Sequence, residues 1–127
     1  MPKADFLEKK AQAFLEDAKY DIKTKKWFLA AFHLEQVCQL YLRYYLFKKL
    51  GDFPKIHSLH ELLEELKKVY PKKKREIEKI QKDEAGTIGD LNQAYITSRY
   101  LPVEFNKFQV EKMLKFTEKL IKFLKTL

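Results

Sequence analysis

WFLAAFHLEQVCQLYLRYYLFKKL, residues 27–50, is apolar on nearly every side. Wound at 3.6 residues per turn, it spreads Trp27, Phe28, Phe32, Val37, Tyr41, Leu42, Tyr44 and Phe47 around the whole cylinder. Gly51 follows and marks the stop. A helix on the outside of a four-helix bundle has no use for that much apolar surface. Either this helix is central, or it buries a second face against another chain. If other helices cover only two of its faces, the remainder is an aromatic patch of several hundred Å², large enough to be buried by a two-fold contact with itself. A homodimer through the Trp27–Leu50 helix is the expectation. The polar exceptions, His33, Gln36, Gln39 and Arg43, recur at three and four residues. They form either a solvent-facing stripe or a polar line along a cleft or dimer seam.

On the N-terminal side, Leu7, Ala11, Phe14, Leu15, Ala18 and Ile22 share one face and predict a helix over Asp5–Lys23. Asp5 reads as its N-cap, with Glu8 as capping-box partner. On the C-terminal side a third helix begins near Ser58, with Leu59, Leu62, Leu63, Leu66 and Val69 inward. Pro71 either ends it or opens a short further helix. Residues 72–80 are strongly charged and predict a solvated helix anchored by Ile77 and Ile80. Residues 84–89 hold Gly86 and Gly89 and predict a mobile loop, after which Asp90 caps a short helix from Leu91 to about Ser98. Residues 100–104 read as a connector. The last helix is expected over about Lys107–Lys125, its apolar face formed by Met113, Phe116, Leu120, Phe123, Leu124 and Leu127. Lys112, Lys115, Lys119 and Lys122 form a basic row beside that face. These elements predict an all-α, antiparallel up-and-down bundle of four main helices plus short ones, in a single domain spanning 1–127.

Composition agrees. The chain has 127 residues, 46% hydrophobic and 35% charged, so it can build a core. Three glycines and four prolines are too few for most β-sheet folds. A net charge of +8 favours anionic partners; because 18 acidic residues are interspersed with 26 basic ones, the same balance also fits the Lys/Glu-rich surface of a heat-adapted protein. Cys38 is the only cysteine, which excludes an internal disulfide or a cysteine-based zinc site and fits a reducing cytosol. The N-terminus lacks an apolar signal region, and no apolar run approaches the ~18 residues of a membrane span.

Most enzyme chemistries find no support. His57 and His60 stand three apart, but no third His or Asp follows at a ligand spacing, so no metal is expected. Gly86 and Gly89 lack the rest of a phosphate-loop fingerprint. Ser58 and Ser98 lie in no nucleophile-elbow context. The unusual stretch is Tyr95-Ile96-Thr97-Ser98-Arg99-Tyr100-Leu101-Pro102. An arginine at a helix exit offers a bidentate fork to phosphate or carboxylate, and flanking rings can stack a base or pack the guanidinium. The same arginine can instead tie the connector to carbonyls at the helix end.

In their order along the chain, three segments resemble the HEPN family (higher eukaryotes and prokaryotes nucleotide-binding). They are the aromatic-rich start of the long helix, Trp27 to Gln36; the His57-Ser58-Leu59-His60-Glu61-Leu62-Leu63 opening of the third helix; and Tyr95-Ile96-Thr97-Ser98-Arg99-Tyr100, with a leucine inserted before Pro102. The last is the most specific. Two departures stand out. Many members carry an acidic residue and a lysine in the second half of the long helix, where this chain has Gln39 and Arg43. The ribonuclease branch needs an arginine followed by four to six residues and a histidine, and none of Arg43, Arg75 or Arg99 has one. Without it, RNA cleavage lacks its proton-transfer group, and Tyr100, with an ordinary pKa near 10, is a poor substitute. The resemblance therefore implies a non-catalytic, cofactor-free binding protein for nucleotide or RNA, often partnered by a separately encoded minimal nucleotidyltransferase in a toxin–antitoxin arrangement. Its ligand-binding residues would be Arg99, Tyr95, Tyr100, His57 and Arg43. A divergent ribonuclease toxin and a purely structural interaction module are the rivals.

Overall fold

The computed structural model describes residues 4–52, 54–97 and 104–127. The order is α1 (Asp5–Lys23), α2 (Trp27–Leu50), α3 (Leu59–Val69), a 3₁₀ turn (Pro71–Lys73), α4 (Lys74–Asp83), α5 (Ala85–Thr97) and α6 (Lys107–Leu124), with no strand among the described residues. The architecture is an all-α helical bundle.

α2 is the central helix and packs against α1, α3, α5 and α6. Ala30, Leu34, Val37, Cys38, Tyr41, Leu42 and Leu46 are fully enclosed and take up about half of its circumference, while Leu29, Phe32, Leu40, Tyr44 and Phe47 on the other side are half-buried. Of its large apolar side chains only Phe28 (39% exposed) and Leu50 (50%) are exposed. Helices of the same chain enclose one side of α2, and the other side stays partly open.

α1 runs antiparallel to α2, as the Asp21–His33 and Gln12–Tyr41 bonds show by their order. Its N-cap is Ala4, with no side-chain cap bond, so Asp5 sits inside the first turn beside Glu8 and acts through the helix dipole. α2 ends at Gly51 in the left-handed region (φ 73°). Ser58 caps α3 by accepting from the Glu61 amide at 3.4 Å, and Pro71 opens the 3₁₀ turn. α4 buries only Ile77 and Ile80.

The loop predicted over 84–89 is helical from Ala85 onward. Ile88 and Leu91 are buried three residues apart and hold the start of α5 in place, while Gly86 and Gly89 face solvent. Asp90 therefore lies inside α5 and does not cap it. α6 opens with a reciprocal capping box, the Asn106 side chain accepting from the Gln109 amide at 2.8 Å and Gln109 Oε1 accepting from the Asn106 amide at 2.9 Å. Residues 98–103, which include most of the connector expected over 100–104, lie outside the described residues.

Candidate functional site

The polar stripe of α2 is partly covered, with Gln39 buried and His33, Gln36 and Arg43 half-buried. His33 Nδ1 meets Asp21 Oδ2 at 2.6 Å, with both side chains largely enclosed (16% and 7% exposed) and the rings of Phe14 and Phe32 against the imidazole. Gln36 Nε2 donates to Glu35 Oε1 at 2.8 Å. Glu35 is completely buried, and sequence reading passed over it. An acid in the middle of an apolar helix was the available signal, because such a group needs partners inside the fold.

Gln39 uses its whole amide. Nε2 donates to Glu35 Oε2 at 2.7 Å and to the His57 carbonyl at 2.5 Å, while Oε1 accepts from Arg43 Nε at 3.3 Å and Nη2 at 3.1 Å. Arg43 continues the line. Nη1 donates to the Pro54 carbonyl at 3.0 Å and Nη2 donates to the Ile56 carbonyl, with His57 Nδ1 3.4 Å from Nη2. Burial pulls the Arg43 pKa below the usual guanidinium range, while Glu35 and Tyr95 oppose the shift. These bonds explain how the chain between α2 and α3 is held. After Gly51 it folds back beside α2, so that His57 and the start of α3 stand next to the middle of that helix.

His57 in turn faces α5. Its ring stacks on Tyr95 with centroids 6.0 Å apart and planes 10° from parallel. Asn92, one turn before Tyr95, accepts from the Leu59 amide through Oδ1 at 3.1 Å and locks α5 to the head of α3. His57, Ser58, Asn92, Tyr95 and Ile96 line a recess of about 270 Å³, and Ile96 is 60% exposed at its edge. Three of the residues singled out in the sequence, Arg43, His57 and Tyr95, thus meet in one place. Arg99 and Tyr100 lie outside the described residues.

Larger recesses include two of about 290 Å³, one beside Tyr70 and one along Lys112, Lys115 and Lys119, and two of about 400 and 440 Å³, between the starts of α5 and α6 and between α3 and α4. In the α3–α4 recess Lys67 pairs with Glu64 at 2.5 Å and Glu78 at 3.6 Å, and in the α5–α6 recess Asp83 pairs with Lys79 at 2.9 Å. Neither contains an aromatic pair. Among the described residues no group of three or more His, Cys, Asp or Glu could hold a metal ion, and no helix is long and apolar enough to cross a membrane.

The sequence model of the HEPN domain matches residues 4–127. Curated proteins give no match. Among solved structures, this fold is similar to the crystal structure of TT1696 from Thermus thermophilus, with a TM-score of 0.76 and 20% identity over 99% of this chain and 98% of that one. At that identity the likeness speaks for the fold.

Proposed function

The chain belongs to the HEPN domain family, and from that premise we propose that it is a dimeric, non-catalytic binding protein for a nucleotide or RNA phosphate. It would act with a separately encoded minimal nucleotidyltransferase. The observation that carries this reading is the stacked His57–Tyr95 pair beside the Arg43 guanidinium, at the end of α5 that leads in sequence to Arg99. An aromatic face and a fixed cation are the two elements that single-stranded nucleic acid recognition uses, one for the base and one for the backbone. Arg43 is mostly committed to Gln39 and to the carbonyls of Pro54 and Ile56. Its part is to hold His57 in place and to keep the local potential positive. Arg99 is left as the residue that grips the anion. Self-association would use the Trp27–Leu50 helix, where Phe28 is exposed and Leu29, Phe32, Leu40, Tyr44 and Phe47 are half-buried.

The test is fluorescence anisotropy with a labelled RNA oligonucleotide. A charge-assisted hydrogen bond contributes about 1.5–3 kcal/mol, so Arg99→Ala should weaken binding by roughly ten- to a hundredfold. Lys74→Ala, on the solvated side of α4, should change it little. Equal, purely salt-sensitive losses in both variants would reduce Arg99 to part of a diffuse basic surface. The labelled RNA should also stay intact during incubation, because no arginine is followed by the histidine that cleavage needs.

A further inference from the structure

The recess between the starts of α5 and α6 and the recess along the α6 lysines share Asp83, Thr87 and Lys112 in their linings, so the two adjoin as one open groove. Its α6 side is ordered. Phe108, Lys112, Lys115, Lys119 and Lys122 follow one another at four, three, four and three residues, which sets them in a single line along the helix. Phe108, at the head of the line, is 73% exposed, the most open large apolar side chain among the described residues. Lys112, Lys115 and Lys122 are exposed and form no ion pair among the described residues. Two acids of the lining are neutralised, Asp83 by Lys79 at 2.9 Å and Glu84 by Lys119 at 3.1 Å. Asp90, in the part of the groove that holds Phe108, forms no ion pair among the described residues.

We propose that this groove is a second contact surface for single-stranded RNA, with a base stacked on Phe108 and the backbone running along Lys112, Lys115 and Lys122. The proposal goes beyond the reading above, because it uses neither the His57–Tyr95 stack nor Arg99. From Lys112 to Lys122 the row advances about 15 Å, or about 5 Å per lysine, at the rise of an α-helix. At that spacing successive ammonium groups meet successive phosphates of an extended strand. A ring beside a basic track is the combination that binds single strands of any sequence: every base has a face to stack, and every phosphate a charge to neutralise. Asp90 sets the direction. A carboxylate repels phosphate and accepts from the amino groups of a base, so the base belongs at the Phe108 end. A duplex keeps its bases in their own stack and leaves Phe108 nothing to hold. An acidic protein segment suits the lysines, but it gains nothing from the bare ring and is repelled by Asp90.

The test is anisotropy of a short labelled oligouridylate on the full chain over a range of salt concentrations. Phe108→Ala should weaken binding about tenfold and leave the salt dependence unchanged, because losing a stack alters no counterion release. Lys112→Ala with Lys115→Ala should lower the slope of log K against log salt by about 1.4, at about 0.7 for each phosphate of a single strand. Lys72→Ala with Lys74→Ala removes the same charge elsewhere on the surface and should lower the slope much less. All these variants should melt with the parent, since the side chains are exposed. Losses from Phe108→Ala in an Arg99→Ala background should add, as expected of two separate contacts. If Arg99→Ala is silent while the groove variants are not, the groove stands without the reading above. Phe108→Ala that binds like the parent, or two lysine pairs that lower the slope equally, overturns the groove and leaves the Arg99 reading untouched. Polyglutamate that displaces the label as readily as unlabelled RNA reassigns the surface to an acidic protein and overturns the proposal, and so does a parent chain that binds no RNA.

Discussion

Gln39 donates to the buried carboxylate of Glu35 at 2.7 Å, one helical turn back, and with its second N–H holds the His57 carbonyl at 2.5 Å. Position 39 therefore needs an amide. A carboxylate there would face Glu35 and a carbonyl oxygen with no proton to offer either. Gln39→Glu should destabilise the fold by about 3 kcal/mol, the scale of a buried charge deprived of its partner, while Gln39→Met should cost less. Urea unfolding at neutral pH reads both. A Gln39→Glu protein as stable as the parent would mean that Arg43 alone compensates two acids.

The Asp21–His33 contact closes the α1–α2 hairpin at 2.6 Å inside a wall of phenylalanines. Asp21→Ala and His33→Ala should each cost about 3 kcal/mol, because each leaves the other polar group enclosed and unpartnered. In a double-mutant cycle the two losses should be strongly non-additive. Additive losses would show that the residues act separately.

Burial pushes the Cys38 thiol up to about 12 from an ordinary value near 9, against a smaller opposing effect of Thr117. The sign is set by protons. Above pH 9 the unfolded chain loses the thiol proton while the folded chain keeps it, so stability falls as pH rises through this window. The slope is about 1.4 kcal/mol per pH unit for one group. Cys38→Ala should flatten the pH 9–10 segment. Above pH 10 decline should continue, because burial also raises Tyr41, Tyr45 and Tyr70. In the native protein Cys38 should resist thiol reagents and react only on unfolding.

Gly86 and Gly89 occupy the first turns of α5 with open space where a Cβ would stand. Each weakens the helix relative to alanine by up to about 1 kcal/mol. Gly86→Ala and Gly89→Ala should each raise stability by roughly 0.5–1 kcal/mol. Thermal melts would show it, and a loss in either variant would mean that this end of α5 docks something the glycines admit.

Self-association should double the 15.3 kDa mass of the chain in light scattering at micromolar concentration. Phe28→Glu should return the monomer. A monomer mass for the parent protein rules the dimer out.

The long helices were legible because their apolar residues keep helical spacing over many turns, and α1 and α2 have the bounds expected from pattern alone. The start of α5 was not. Glycine is a poor local helix former, and the burial of Ile88 and Leu91 overrides that local cost, which no window of six residues reveals. The Asn106–Gln109 capping box was readable and overlooked. At the site, residue types pointed to His57, Tyr95 and Arg43 separately. Their meeting depends on a connector that folds back along α2 under bonds made by Gln39 and Arg43, and local periodicity carries no trace of such long-range bonds.

Those bonds also set a constraint on length. Three stations of the connector, the carbonyls of Pro54, Ile56 and His57, are held by side chains one helical turn apart on α2. An extra residue inserted between 54 and 57 would shift the frame of these carbonyls, leave two fixed donors facing the wrong atoms, and turn the histidine ring away from α5. Surface loops usually absorb insertions and deletions. Here the spacing from α2 to α3 behaves like the pitch of a screw thread: a related chain can vary the identities along it, but a change in count disengages the two parts.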